Sequence, residues 1–334
     1  MHAALLRAPG PIDERPLELR DVPTPDVSPN EVLIEVTACG VCRTDLQLCE
    51  GDLEARTLPI IPGHQVVGRV IERGDAVVHP PIGTRVGVAW IAGTCGTCRF
   101  CTSGRENLCE QARFTGWDRD GGYADVVVAD SSFVYELPDG FDDVAAAPLL
   151  CGGAIGYRCL RVAGARNGMR LGLYGFGASA TIVVQLARHL GCETFVVTRS
   201  DDERERALRL GAVWAGTYDE RPPAPLDAAI TFAPAGSVVV DALAAVDRGG
   251  IVVVNAIHLD HVPEFDYGLL WWERSIRSVA NVTRDDVRGL LDLAHRIPVE
   301  SQVDTYPIDA ANAALLDLRD GRVRGAAVLI SART

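Results

Sequence analysis

Apolar and polar positions follow two rhythms along this chain. Up to residue 38 they mark short strands and turns. Pro23, Pro25 and Pro29 lead into Glu31-Val32-Leu33-Ile34-Glu35-Val36-Thr37, whose alternation predicts a strand with one buried face. From Met169 the rhythm becomes strand then helix. An apolar strand from Arg170 ends in a glycine-rich turn and a helix over 181–190, then a strand over 194–198, a helix over 201–210 and a short strand over 213–215. A strand over 226–232, a helix over 237–246 and a strand over 250–255 continue the alternation. Parallel strands need such crossover helices, so this stretch predicts a doubly wound parallel sheet. After Trp272 mixed elements return: a strand near Arg277, helices over 284–295 and 309–319, and a last strand over 325–331. The expected fold class is α/β in two domains. Residues 1–150 and 273–334 form a discontinuous domain, completed by those last elements, and residues 151–272 form the inserted, doubly wound one.

Length and charge narrow the function classes. At 334 residues each of two domains can bury its own core. A formal net charge of -13 argues against a nucleic-acid-binding surface, because neutralising phosphates needs a basic face. The sequence has no apolar run of the roughly 18 residues that a membrane span requires. The N-terminus shows no basic-then-apolar signal segment. The expectation is a soluble, cytoplasmic protein with neither nucleic-acid nor membrane partner. Ten cysteines then read as metal ligands plus a few buried thiols rather than as a disulfide framework.

Four of those cysteines, Cys95, Cys98, Cys101 and Cys109, lie in one short polar loop at spacing C-x2-C-x2-C-x7-C. Four thiolates close a tetrahedron around Zn²⁺ and leave no open position, which makes a structural site. Disulfides within so short a loop would be strained and would need an oxidising compartment. An iron–sulfur cluster of ferredoxin type has its fourth cysteine closer and a proline after it; here Glu110 follows. Three further pieces are weak singly. Cys39-Gly-Val-Cys42 in a turn is half a zinc site, a redox pair or coincidence, and His64 after Pro62-Gly63 suits a hydrogen-bonded core histidine as well as a ligand. Cys151 at a helix start suits an inert core thiol. Together they could supply the Cys2His set with an open fourth position that marks a catalytic zinc. Gly175-Phe176-Gly177-Ala178-Ser179-Ala180, between strand and helix, is the dinucleotide fingerprint of a Rossmann unit with Ala180 in place of the third glycine.

These pieces in this order resemble the zinc-dependent medium-chain alcohol dehydrogenases of the medium-chain dehydrogenase/reductase superfamily, over essentially the whole chain. The motifs are Gly40-Val41-Cys42-Arg43-Thr44-Asp45, Gly63-His64 with Gly68 and Gly74, the four-cysteine lobe, Cys151, and Gly175-x-Gly177. The resemblance implies a GroES-like, mostly-β catalytic domain beside the Rossmann domain. It implies two zinc ions per chain, one structural in the lobe and one catalytic on Cys42, His64 and Cys151. Cys39 is then a neighbour. Thr44 matches the hydroxyl that hydrogen-bonds the substrate oxygen, and Asp45 the carboxylate that orients the zinc-bound histidine; Asp45 also suits a helix cap. Trp90 resembles the aromatic wall of the substrate pocket. Leu53 stands where yeast-type ethanol dehydrogenases carry a tryptophan, which suggests a roomier pocket. Arg324 resembles an arginine near the cofactor pyrophosphate, although a solvated surface role fits it equally.

Three departures from the family pattern matter. Gln65 replaces the glutamate of Gly-His-Glu and leaves the metal site one negative charge short. Gln47 replaces a titratable histidine at the end of the proton relay, so the relay must end in water or another group. The second Rossmann strand ends in Thr198-Arg199-Ser200, where an NAD enzyme has an acidic residue for the ribose hydroxyls. A hydroxyl followed by arginine attracts a 2′-phosphate, so NADP(H) is favoured over NAD(H). The implied reaction is hydride transfer between a primary or secondary alcohol, or the matching aldehyde or ketone, and the nicotinamide. A homodimer or homotetramer is implied as well. Two rivals remain: a zinc-free quinone or enone reductase of the same superfamily, and a non-enzymatic zinc- and nucleotide-binding redox sensor.

Overall fold

The computed structural model describes residues 1–256 and 259–331, which divide into two compact units. The first comprises Met1–Cys151, Asn281–His295 and Glu300–Thr334. Its core is a seven-stranded sheet in the order Val303–Pro307, Ala326–Ile330, Glu31–Val41, Gln65–Arg73, Arg85–Val88, Val134–Glu136, with Val126–Asp130 also paired to Glu31–Val41. Val303–Pro307 and Ala326–Ile330 run parallel, and the other pairs are antiparallel. Val32, Ile34 and Val36 point into the main apolar core, as their alternation predicts. The strand runs four residues past the expected Thr37. There the alternation gives way, and Ala38, Cys39, Gly40 and Val41 are all buried. Two-sided burial hides the period-2 signal on which the sequence reading relied.

The second unit comprises Gly152–Ala280 and Arg296–Val299. Its six parallel strands lie in the order Trp214–Gly216, Glu193–Val197, Arg170–Tyr174, Leu226–Thr231, Val246–Val254, Ser275–Ser278. Numbered by chain position this is 3-2-1-4-5-6, the Rossmann order, with the direction of winding reversing beside Arg170–Tyr174. Leu171, Leu173, Val196, Ile230, Val252 and Val253 are buried, as strands covered on both faces require. The strand near Arg277 departs from expectation. It pairs in parallel with Ile251–Val254, so it is the last strand of this sheet and not part of the first unit. All four of its residues are exposed. An edge strand of this kind carries no apolar run to announce which sheet it joins. The chain re-enters the first unit at Asn281.

Candidate active site and metal centres

The helix Arg43–Glu50 starts directly after the long strand, with Cys42 as its N-cap and Asp45 closing a capping box. Asp45 is 2% exposed. Its Oδ2 accepts from the Cys42 backbone N–H at 2.9 Å and from the Tyr123 hydroxyl at 3.1 Å. Its Oδ1 lies 2.9 Å from His64 Nδ1. One carboxylate therefore supports the helix start from its third position and orients the imidazole; the N-cap itself is Cys42, not Asp45 as the sequence allowed. Gly63 makes this arrangement available. Its φ is +97°, and a Cβ there would stand 2.4 Å from the Tyr123 ring.

Burial alone would keep His64 neutral, but the charge and hydrogen bond of Asp45 override it and raise its pKa to about 10. With Nδ1 engaged by Asp45, Nε2 faces the thiols, 3.3 Å from Cys151 Sγ. A hydrogen bond with Cys151, aided by His64, holds the Cys42 thiol well below its ordinary range, and the same bond together with burial pushes Cys151 up. The two sulfurs thus compete for one proton. Donor atoms of Cys42, His64 and Cys151 all lie within 4.8 Å of one another. Zn–S bonds of about 2.3 Å at tetrahedral angles separate their donors by about 3.8 Å, so this set fits a zinc ion with one position left for another ligand. Thr44 is buried, with its hydroxyl 3.8 Å from Cys42 Sγ. Gln65 is buried, and its amide packs over Gly40, where a Cβ would meet it at 2.8 Å.

Trp90 stands edge-on to His64, with ring centroids 4.7 Å apart. It stacks on Phe114 at 5.0 Å and Trp117 at 5.8 Å, and Arg56 covers the Trp117 ring at 3.8 Å. An aromatic stack thus runs outward from His64. Leu53 is half-buried against the main core, alongside Trp117.

The four lobe cysteines also converge. Cys95 Sγ lies 3.8 Å from Cys101 and 3.6 Å from Cys109, and Cys98 lies 3.5 Å from Cys101. These three separations fit the edges of the tetrahedron that a closed S4 zinc site would need. Backbone N–H groups of Thr97 and Cys98 bring the Cys95 pKa down to about 6, which favours the ligating thiolate. The lobe is fastened by Glu106, whose two carboxylate oxygens accept from Arg284 Nε at 2.9 Å and Nη2 at 2.8 Å.

In the second unit Gly175 has φ +91°, and a Cβ on it would stand 3.0 Å from the Ala233 nitrogen. Gly177 is the N-cap of Ala178–His189, so the N–H groups around Ala178 and Ser179 are left for an anion. The helix begins three residues earlier than the sequence suggests, at Ala178. Arg206 donates to the Phe176 carbonyl at 3.0 Å and braces the turn. After the second strand, Thr198 is buried and its hydroxyl donates to Glu203. Ser200 caps the helix Asp201–Arg209, and Arg199 is exposed. Arg324, in the first unit, is exposed and donates its backbone N–H to Asp304 at 2.8 Å. Tyr123, Phe114, Trp117, Asn281 and Arg206 escape the sequence reading. No motif spacing links them to the residues they touch.

Comparison with known proteins agrees with this geometry. The family model of the alcohol dehydrogenase GroES-like domain matches residues 28–139, and that of the zinc-binding dehydrogenases matches residues 180–296. The protein named "Probable alcohol dehydrogenase AdhA" of Mycobacterium tuberculosis is 49% identical over 336 residues, covering 99% of this chain and 97% of that one. A cinnamyl alcohol dehydrogenase, SbCAD4 of Sorghum bicolor, superposes with a TM-score of 0.90 at 27% identity, over 98% of this chain and 97% of that one. A cobalt- and zinc-bound thermostable alcohol dehydrogenase of Pyrobaculum aerophilum does so with a TM-score of 0.89 at 27% identity, over 99% of each chain. The chain belongs to the zinc-dependent medium-chain alcohol dehydrogenase family.

Proposed function

We propose that this protein is an alcohol dehydrogenase and carbonyl reductase with a catalytic zinc on Cys42, His64 and Cys151 and a structural zinc on Cys95, Cys98, Cys101 and Cys109. One observation carries the reading: two thiols and an imidazole, far apart in sequence, face one centre while the back of the imidazole is held by a buried carboxylate. Bound zinc supplies Lewis acidity toward the substrate oxygen, and bound nicotinamide supplies the hydride acceptor or donor. The residues do the rest. With a metal in place of the second ring proton, Asp45 would fix the His64 tautomer with its lone pair toward the centre that the thiols face. Thr44 hydrogen-bonds the substrate oxygen and carries its proton outward. Leu53 and Trp90 wall the substrate carbon chain, and the aromatic stack behind Trp90 suits benzylic and other bulky primary or secondary alcohols and their aldehydes and ketones.

For the cofactor, Gly175, Gly177, Ala178 and Ser179 receive the pyrophosphate. NADP(H) is preferred over NAD(H). The Thr198 hydroxyl is engaged by Glu203, so the attraction for a 2′-phosphate falls to the exposed Arg199, with Ser200 beside it. The catalytic domain is 1–150 with 273–334 in outline, its boundary shifted to Asn281 by the placement of Ser275–Ser278, and the Rossmann domain lies between. A homodimer or homotetramer follows from the family resemblance, and the edge of Ser275–Ser278 that has no partner strand among the described residues offers a place where copies can join.

The test is metal content and turnover together. Two zinc ions per chain are expected by elemental analysis, with NADP+-dependent oxidation of benzyl alcohol. Cys151→Ser should keep the fold and the lobe zinc but abolish turnover, whereas full turnover in that variant would sink the reading. Arg199→Asp should raise the KM for NADPH about tenfold or more with little change for NADH.

A further inference from the structure

Trp90 borders the candidate centre, and a half-buried indole N–H needs an acceptor. Asn281 provides one: its Oδ1 lies 3.0 Å from Trp90 Nε1. On the other side of the same amide, Nδ2 donates over 3.2 Å to the carbonyl of Asn107, inside the four-cysteine loop. The two partners have opposite polarity, so the amide has one satisfactory orientation. The backbone adds a third demand, because Asn281 has a φ of 54°, in the left-handed region that few side-chain-bearing residues other than Asn and Asp tolerate. Asp would accept from the indole but could not donate to the carbonyl. Gly would take the φ and do neither. Asn meets all three requirements.

The anchor itself is firm. Asn107 is 3% exposed, and its neighbour Glu106 is clasped by Arg284, whose backbone N–H also donates to Glu106 at 2.9 Å. Residues 281–284 are therefore tied to the lobe at two successive positions. The lobe cysteines and Trp90 also pack against one apolar cluster of Ile91, Cys109, Ala112, Phe114 and Phe133.

We propose that Asn281 is a positioning residue for substrate. It fixes the orientation of Trp90, and so the width of the pocket beside Cys42, His64 and Cys151, and it uses the four-cysteine lobe as its fixed point. The lobe thereby acts on substrate choice and not on stability alone. This inference rests on the alcohol dehydrogenase reading.

The experiment uses the full chain labelled with ¹⁵N at its five tryptophans, the Trp90 indole signal being assigned by its loss in Trp90→Phe. Asn281→Gly, which keeps the backbone conformation, should shift the Trp90 signal and speed its exchange with solvent. Asn281→Asp, which keeps the acceptor, should leave that exchange slow. In turnover, Asn281→Gly should raise the KM for benzyl alcohol about tenfold and change kcat by less than about twofold. In a Trp90→Phe background the same substitution should change KM by less than about twofold, because the wall it holds is already gone. An unmoved Trp90 signal in Asn281→Gly, fast exchange in Asn281→Asp, or an undiminished KM effect in the Trp90→Phe background overturns the proposal. The indole signal requires no turnover, so it distinguishes failure of this inference from failure of the enzymatic reading.

Discussion

Asp45 shows how much one side chain can be asked to do at the residue scale. Its two oxygens receive the backbone N–H of the helix N-cap, a tyrosine hydroxyl and an imidazole N–H, so three of its roughly four acceptor sites are filled by the protein although the group is buried from solvent. Asp45→Asn keeps the volume but turns one acceptor into a donor facing these donors. Zinc affinity at the Cys42–His64–Cys151 centre should fall about 10–100-fold, read by competition with a chelator, while the lobe zinc is retained. That Asp45 could serve a helix start was legible from its residue type, although the N-cap itself is Cys42, and its imidazole-orienting role came from the family resemblance. Tyr123, which completes the set, was not: it is 78 residues away, and nothing but folding brings its hydroxyl to Asp45.

Elements are joined by a second buried carboxylate. Glu106 connects the lobe to the start of the helix Arg284–Arg296. The hydrogen bond from Arg284, partly opposed by burial, holds its pKa below the ordinary 4.5. A depressed pKa means stability that is present above the unfolded value and lost as pH falls through the folded one. Glu106→Gln should therefore lower stability at pH 7 by about 1 kcal/mol, a modest figure because Arg284 is partly exposed and screened. The gap from the parent protein should close as the pH falls below the ordinary 4.5 and on through the lower value that Glu106 has in the folded state, where the parent loses the same charge. Chemical denaturation at a series of pH values measures this, and a gap that persists at low pH would count against the assignment. The helix itself was legible, since its apolar face repeats at helical spacing. Its attachment to a loop about 180 residues earlier was not, because an arginine among charged neighbours looks like any solvated one.

The whole-molecule question is how the doubly wound sheet ends. Among the described residues Ser275–Ser278 pairs on one side only, and just before it in the chain Trp271 and Trp272 are about half exposed. Large aromatics next to an unpaired strand edge are costly to leave in water, and a second copy can cover both. Light scattering should give a mass that is two or four times the 35.8 kDa of the chain. Ile276→Asp should shift it toward one times, because like charges would then face each other across the joint. An unchanged mass in that variant would move the joint elsewhere.

The amino-acid sequence by itself determined what is local or periodic. Parallel strands and crossover helices leave a rhythm, a phosphate-binding turn needs glycines at a fixed close spacing, as in Gly175-x-Gly177, and four sulfurs for one ion can lie within fifteen residues. Only the tertiary structure decided what depends on distance in space: that Cys42, His64 and Cys151 face one another, that Tyr123 and Asn281 complete their surroundings, and that the strand near Arg277 closes the second sheet rather than the first. Such contacts are set by how whole elements pack, and a chain position carries no mark of the partner that packing will bring to it.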